Sequence, residues 1–435
     1  MENIKITPSE LNGEINIPPS KSLAHRAIIS AGLSDGVSNI ENIIFSEDIK
    51  STIRGMKSLG IKIDDITNEN KKSLGRKTLK VIGKEKLILE NDTIDCSESG
   101  STLRFLIPIA LRAEKAVTFT GRGKLVSRPL DVYYNIFEDQ GIKYKTTNNQ
   151  LPLTVDGKIN SGEFHVKGNI SSQFITGLMY TLPFLDGDSK IIIITELESR
   201  GYVDLTIDML KKFGVEIENN NYKEFIIKGN QKSTSRDYRV QGDFSQGAFF
   251  IVAGILGSKV KTLDLDIDSL QGDKAIIDIV KKMGANIKVG RDYIETKKSK
   301  THGITIDASE CPDLVPILAV LGAVSHGTTK IINAERLRIK ECDRLKAMAT
   351  ELSKIGADIK ELEDGLIIKG KYKLKGGVVD SWNDHRIAMA MAIASIKCTE
   401  PVIIQNSMAV NKSYPDFWED FKKVGGIIDE WSMGK

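Results

Sequence analysis

The chain has 435 residues, 40% hydrophobic and 27% charged, with 61 basic and 58 acidic side chains that leave a net charge of +3. That length exceeds what one core supports, so two domains are expected, and the even charge balance excludes a general polyanion binder, which needs a basic domain or stripe. No run of 18 apolar residues and no apolar leader at Met1–Pro8 occurs, and Cys96, Cys311, Cys342 and Cys398 form neither a CxxC pair nor a metal-ligand spacing with the five histidines. A reducing cytoplasm without structural zinc is the expectation.

In chain order, Lys5–Ile17 reads as a strand, followed by Ile17-Pro18-Pro19-Ser20-Lys21-Ser22-Leu23-Ala24-His25-Arg26. The prolines hold the approach extended, Ser20 and Ser22 are both cap residues, and the apolar helical pattern starts at Leu23. Lys21, Ser22 and Arg26 at a helix start form an anion seat, or else an ordinary capped helix with solvated cations.

Two phrases then repeat. The first is an amphipathic helix tail ending in glycine before a β-like run: MKSLGIKI, FEDQGIKY, LKKFGVEI, VKKMGANI, LSKIGADI and FKKVGGII. Its glycines, Gly60, Gly141, Gly214, Gly284, Gly356 and Gly425, recur every 69–81 residues, where a helix C-terminus favours a left-handed residue. The second is a polar opening to a helix that is apolar nearly all round, starting near Ser22, Ser101, Ser171, Ser245, Pro312 and Asn383. Such helices are buried ones, too short at about three turns to cross a bilayer. Further strands such as Leu151–Val155 and Glu163–Val166 complete six α/β units, or two domains of three. Lys5–Ile17 is then best used to complete the C-terminal domain. That places the domains at 1–18 plus 242–435 and at 19–241, with crossings near Pro18 and Tyr238–Gly242. Two crossings with ligand groups beside them suggest a cleft that closes.

The buried helices open on chemistry-bearing residues. Gly100 in Glu98-Ser99-Gly100-Ser101-Thr102-Leu103-Arg104 lets a ligand approach the backbone, or simply starts a turn. Arg128, held by Pro129, is placed for a bidentate anion contact or lies solvated. Ser171, Ser172 and Gln173 form another anion seat or a plain cap, and Ser199 precedes a further helix start. Asp313 is an N-cap or a base. In Arg336-Leu337-Arg338-Ile339-Lys340-Glu341-Cys342-Asp343-Arg344, close helical spacing surrounds a proton donor, Glu341, or makes a salt-bridged surface helix. Arg386 opens the last buried helix, and Lys412 follows in Val410-Asn411-Lys412-Ser413-Tyr414-Pro415. Seven cations at helix mouths suit a substrate with several phosphates or carboxylates.

These residues in this order resemble the EPSP synthase (3-phosphoshikimate 1-carboxyvinyltransferase) family along the whole chain, from PPSKSLAHR through SGSTLRF, SRPL, SSQF, SRGY and PD to LRIKECDRL, NDHR and NKSYPDF. The resemblance implies an α/β protein of two domains, each of three βαβαββ repeats around buried parallel helices (an inside-out α/β barrel), with the active site in the cleft between them. It implies transfer of the enolpyruvyl group of phosphoenolpyruvate to the 5-hydroxyl of shikimate 3-phosphate, releasing phosphate, with no organic cofactor and no metal. By position it assigns shikimate 3-phosphate to Lys21, Ser22, Arg26, Ser171, Ser172, Gln173, Ser199, Asp313 and Lys340. Phosphoenolpyruvate falls to Lys21, Gly100, Arg128, Gln173, Arg344, Arg386 and Lys412. Asp313 takes the hydroxyl proton, and Glu341 or Lys21 protonates the methylene carbon. The implied partners are these two small molecules, with no nucleic acid or membrane, and the implied state is a cytoplasmic monomer. Ser101 stands where many members have Thr, and Arg336 where some have Asn, which leaves the role of Arg336 open. The sister family, which transfers enolpyruvyl to UDP-N-acetylglucosamine, usually carries a reactive Cys just beyond the second buried helix and a Lys-Asn pair near the N-terminus. Here Arg112–Leu130 contains no Cys and the pair is Lys21-Ser22.

Overall fold

The six glycines that punctuate the repeat all have left-handed backbone, with φ between +66° (Gly141) and +102° (Gly425), a region that costs a residue with Cβ. Each ends one helix and turns the chain into a strand. The structure, a computed structural model, describes residues 3–68 and 75–431. It divides into two compact units: Lys21–Val240, called here the inserted unit, and Met1–Ser20 with Gln241–Lys435, the terminal unit.

Among the described residues the inserted unit carries helices α1 (Lys21–Gly32), α2 (Glu47–Ser58), α3 (Gly100–Ala110), α4 (Asp131–Gln140), α5 (Ser172–Met179) and α6 (Arg200–Lys212). The terminal unit carries α7 (Phe244–Leu256), α8 (Ile276–Lys282), α9 (Val315–Ala323), α10 (Arg344–Lys354), α11 (His385–Ala394) and α12 (Phe417–Lys423). Odd-numbered helices are the apolar ones. Every residue of α7, α9 and α11 is buried, which is where a helix apolar on all sides must lie. The even-numbered helices bury one stripe only, as in α2, where Ile49, Thr52, Gly55 and Met56 face inward. Each unit has its own apolar core. No helix among the described residues is long and apolar enough to cross a membrane.

Six four-stranded sheets repeat one pairing: the first strand parallel to the second, the second antiparallel to the third, and the third antiparallel to the fourth. Three sheets borrow a strand from far along the chain. Tyr238–Arg239, the last strand of the inserted unit, pairs in parallel with Gly36–Ile43, near its beginning. Asn3–Thr7 lies between Val402–Gln405 and Ile427–Trp431, with Ile4 opposite Ile404. The stretch read as one strand from Lys5 to Ile17 is in fact two, Asn3–Thr7 and Asn12–Asn16, and the second pairs in parallel with Lys259–Leu263.

Three local expectations change. Helix α1 begins at Lys21, two residues before the apolar pattern, since the polar first turn can be helical while facing outward. Asp313 is no helix cap: it sits inside a 3-10 turn, Pro312–Leu314, ahead of α9. The charged stretch from Arg336 to Arg344 is not one helix but a 3-10 turn, Glu335–Ile339, a break at Lys340–Asp343, and then α10.

Candidate active site

In the inserted unit, Lys21 lies at the start of α1 and pairs with Asp48 of α2 at 2.6 Å. One turn on, Arg26 is buried and gives its donors to the protein: Nε to Thr206 Oγ1 at 2.9 Å, Nη1 to the Ser22 carbonyl at 2.9 Å, and Nη2 to the Tyr202 carbonyl at 2.9 Å. Its guanidinium lies 5.3 Å from the Phe105 ring centre, and burial lowers its pKa. Arg26 therefore ties α1 to α6 and leaves a ligand mainly its charge.

Behind these cations runs a line of uncharged groups. His25 Nδ1 is 2.7 Å from Thr52 Oγ1, Thr52 is 2.7 Å from Thr102 Oγ1, and Thr102 donates to Ser99 Oγ at 2.8 Å. Burial first, then Lys21 and Arg26, push the His25 pKa well below its ordinary value, so the ring is neutral. Ser99 caps α3, accepting from the Thr102 amide at 3.2 Å. This line fixes Gly100, the first residue of α3, against α1 and α2.

Around Gly100 the candidates gather. A Cβ added there would lie 2.7 Å from Arg128 Nη1 and 3.4 Å from Gln173 Oε1. Gln173 is oriented at both ends: its Oε1 accepts from Arg104 Nη1 at 2.8 Å and its Nε2 donates to Ser101 Oγ at 3.0 Å. Ser171 caps α5 by accepting from the Gln173 amide at 3.3 Å, and Ser172 is the buried first residue of that helix. Ser199 precedes α6 in a left-handed conformation, φ +56°. Its helix brings Tyr202 and Thr206 to Arg26.

The terminal unit assembles its candidates by ion pairing. Arg344, the first residue of α10, is 1% exposed and is held by three carboxylates: Nη1 to Asp313 at 2.9 Å, Nη2 to Glu341 at 2.7 Å and Nε to Asp384 at 2.8 Å. Arg386 reaches the other Asp313 oxygen at 3.0 Å and Ser245 Oγ at 3.0 Å. Ser245 in turn donates to Asp243, the cap of α7, at 2.8 Å. Lys340 lies 3.9 Å from Asp313. Lys412 ends a 3-10 turn, Ser407–Lys412, and donates to the Asn383 carbonyl at 2.6 Å.

These surroundings set the charges. Burial alone would raise the Asp313 pKa, but Arg386, Lys340 and Arg344 together hold it well below the usual carboxylate range. Burial likewise works against the Arg344 charge, and Asp384, Glu341 and Asp313 more than restore it. Lys340 is pulled down to about 8 by burial, with Asp313 opposing and Arg344 assisting. Asp273, in the turn Gly272–Ala275, is pushed upward by burial and then by the charge of Asp313.

Several of these groups escaped the reading by motif. Asp48, Arg104 and Asp384 act through partners distant in sequence, and Asp243 reaches Arg386 only by way of Ser245. Asp273 carried a usable signal, an acid beside glycine in Gln271-Gly272-Asp273, shortly before the amphipathic helix α8. Arg336 donates to the Ser309 carbonyl. Among the described residues, no group of three or more His, Cys, Asp or Glu side chains is placed to hold a metal ion.

Repeated α/β units, with basic side chains at the starts of buried helices and carboxylates set among them, define a class of transferase suited to phosphorylated acids. The comparisons make the assignment specific. The sequence profile of EPSP synthase (3-phosphoshikimate 1-carboxyvinyltransferase) matches residues 6–421, and the chain belongs to that family. It is 95% identical, over the full length of both chains, to a 3-phosphoshikimate 1-carboxyvinyltransferase of Clostridium novyi, and 56% identical over both full lengths to one of Clostridium kluyveri. An EPSP synthase structure from Acinetobacter baumannii, 24% identical, covers 99% of this chain and all of its own with a TM-score of 0.82, so the fold is the two-domain α/β fold expected.

Proposed function

We propose that the residues gathered in each unit carry out the reaction of this family, joining the enolpyruvyl group of phosphoenolpyruvate to the 5-hydroxyl of shikimate 3-phosphate. The observation that carries the assignment is Asp313, a carboxylate kept ionised by Arg344 and Arg386 with Lys340 beside it. An ionised carboxylate is the form that accepts a proton, and its cations suit the two acidic substrates.

Shikimate 3-phosphate is assigned to Lys21, Ser22, Arg26, Ser171, Ser172, Gln173, Ser199, Asp313 and Lys340. Phosphoenolpyruvate is assigned to Lys21, Gly100, Arg128, Gln173, Arg344, Arg386 and Lys412. Asp313 takes the proton of the 5-hydroxyl as its oxygen attacks C2 of phosphoenolpyruvate. Glu341 or Lys21 delivers a proton to the methylene carbon, giving a tetrahedral adduct. A methyl proton then returns to the protein, the C–O bond to phosphate breaks, and the enol ether and inorganic phosphate leave. Arginines already bonded to carboxylates exchange some of those bonds for substrate anions, so the charge is placed before the ligand arrives. The chain acts as a cytoplasmic monomer in this reading.

The test is release of inorganic phosphate from phosphoenolpyruvate. Release should require shikimate 3-phosphate. Release supported instead by UDP-N-acetylglucosamine would overturn the reading.

A further inference from the structure

Helix α10 carries Arg344 at its first residue and Glu351 two turns later. Glu351 is 1% exposed, yet touches none of the residues assigned to substrate. Its Oε1 accepts from the Trp382 indole N–H at 2.7 Å, its Oε2 accepts from the Asp380 backbone N–H at 3.0 Å, and Lys354 reaches both oxygens.

What Glu351 grips is an unusual turn. Trp382 and Asn383 are consecutive left-handed residues, with φ +53° and +52°, a conformation that a residue with Cβ avoids unless its surroundings impose it. Asp380 holds the same turn from the other side, accepting from the Trp382 amide and, through its second oxygen, from Asn406 Nδ2 at 2.7 Å. Asn406, itself at φ +56°, starts the 3-10 turn that ends in Lys412, and Lys412 donates back to the Asn383 carbonyl. The residue after Asn383 is Asp384, which binds Arg344 and caps the helix bearing Arg386. The path closes: from Glu351 through Trp382, Asp380 and Asn406 to Lys412, back through Asn383 to Asp384, and by Arg344 into α10 again.

We propose that Glu351 and Trp382 are a positioning pair that fixes this left-handed turn and so sets Arg344, Arg386 and Lys412 in one frame for phosphoenolpyruvate. The inference rests on the assignment of that substrate to those three cations. A buried carboxylate with two directed N–H donors and a lysine defines the turn's orientation, and the turn has no freedom to relax once the path closes.

The test compares Trp382→Phe, which keeps one aromatic ring and removes the N–H donor together with the second ring, with Glu351→Gln and the double variant, in steady-state kinetics. The loss of one hydrogen bond to a charged group predicts a KM for phosphoenolpyruvate about 10-fold higher or more in each single variant. The KM for shikimate 3-phosphate should hardly move. Because the two side chains act as one device, the double variant should be no worse than the worse single variant. A merely structural contact would instead lower the urea midpoint and leave the two KM values in their original ratio, which overturns the proposal, as do additive effects. Arg386→Ala is run in parallel. If it leaves the phosphoenolpyruvate KM unchanged, the assignment of that arginine fails, while the positioning pair is still judged by its own split between substrates.

Discussion

The two units hold their candidate groups by opposite means. Apart from the Lys21–Asp48 ion pair, the positioning contacts of the inserted unit are hydroxyls, an amide and backbone carbonyls: His25 to Thr52 to Thr102 to Ser99, Gln173 between Arg104 and Ser101, and Arg26 on Thr206 and Tyr202. In the terminal unit they are charges: Asp313, Glu341 and Asp384 on Arg344, and Asp313 again on Arg386. A hydroxyl network changes little with pH or salt, and losing one member costs about one hydrogen bond. A buried ionic network is coupled, so losing one member strands the rest in a medium that penalises bare charge. The inserted unit is therefore a seat of constant shape, and the terminal unit a seat whose charge state is part of its function.

The contrast breaks most sharply at Asp313. Asp313→Asn should lower turnover roughly 10²–10⁴-fold, the range for losing a general base. Some stability should go with it, since Arg344 and Arg386 lose the full counter-charge they share and no cap is at stake. Turnover equal to that of the parent enzyme would remove Asp313 from the mechanism.

Asp384→Ala comes next. It leaves the buried Arg344 with two carboxylates in place of three, and breaking a buried pair costs about 3–5 kcal/mol, here at the lower end because Asp313 and Glu341 remain. Urea unfolding of the terminal unit measures it, and an unshifted midpoint would show that the third carboxylate is idle.

Thr52→Val, nearly isosteric, asks the same of the inserted unit. It removes the shared partner of His25 and Thr102 and should cost about 1–3 kcal/mol, with the loss equal at low and high salt. A salt dependence matching that of Asp384→Ala would erase the distinction drawn between the units.

The smallest effect expected is one of pH. In the proposed assignment Lys340 meets shikimate 3-phosphate as the cation, and a pKa pulled down to about 8 by burial makes the charge leave earlier on the alkaline side than that of an ordinary lysine. The KM for shikimate 3-phosphate should rise as pH passes through about 8, and Lys340→Arg should flatten that rise. His25, already neutral, stays silent over the same range. A KM profile that stays flat across pH 8 in the parent enzyme would mean that Lys340 does not carry the phosphate.

What the amino-acid order made legible was whatever depends on neighbours in sequence. The six glycines are legible because left-handed backbone is demanded where each helix turns into a strand, and the buried helices because they are apolar on every side. Lys21, Gly100, Arg128 and Arg386 stood out as functional residues at helix starts. Their partners did not. Arg26 meets Thr206 across 180 residues and Arg386 meets Ser245 across 141, and no local pattern announces such a meeting. Asp384 stands inside Asn383-Asp384-His385-Arg386 at a helix start, and only the fold shows that one of its oxygens caps that helix while the other serves Arg344. For Asp313 the sequence left a cap and a base both open, and the fold removes the cap while two arginines and a lysine hold the carboxylate ionised.

The placement of Asn3–Thr7 between Val402–Gln405 and Ile427–Trp431 has a consequence for the order in which the protein is made. The ribosome releases this strand about 400 residues ahead of both neighbours. At roughly 5–20 residues per second, the interval is about 20–80 s. The inserted unit has all its strands once Tyr238–Arg239 emerges, and can settle while Ile4 and Ile6 still have no sheet to join. During that wait the first strand is an unpaired apolar edge, the kind of surface that chaperones recognise and aggregates recruit. A message cut short before the codons of Val402–Gln405 would therefore deprive Asn3–Thr7, about 400 residues upstream, of both neighbours.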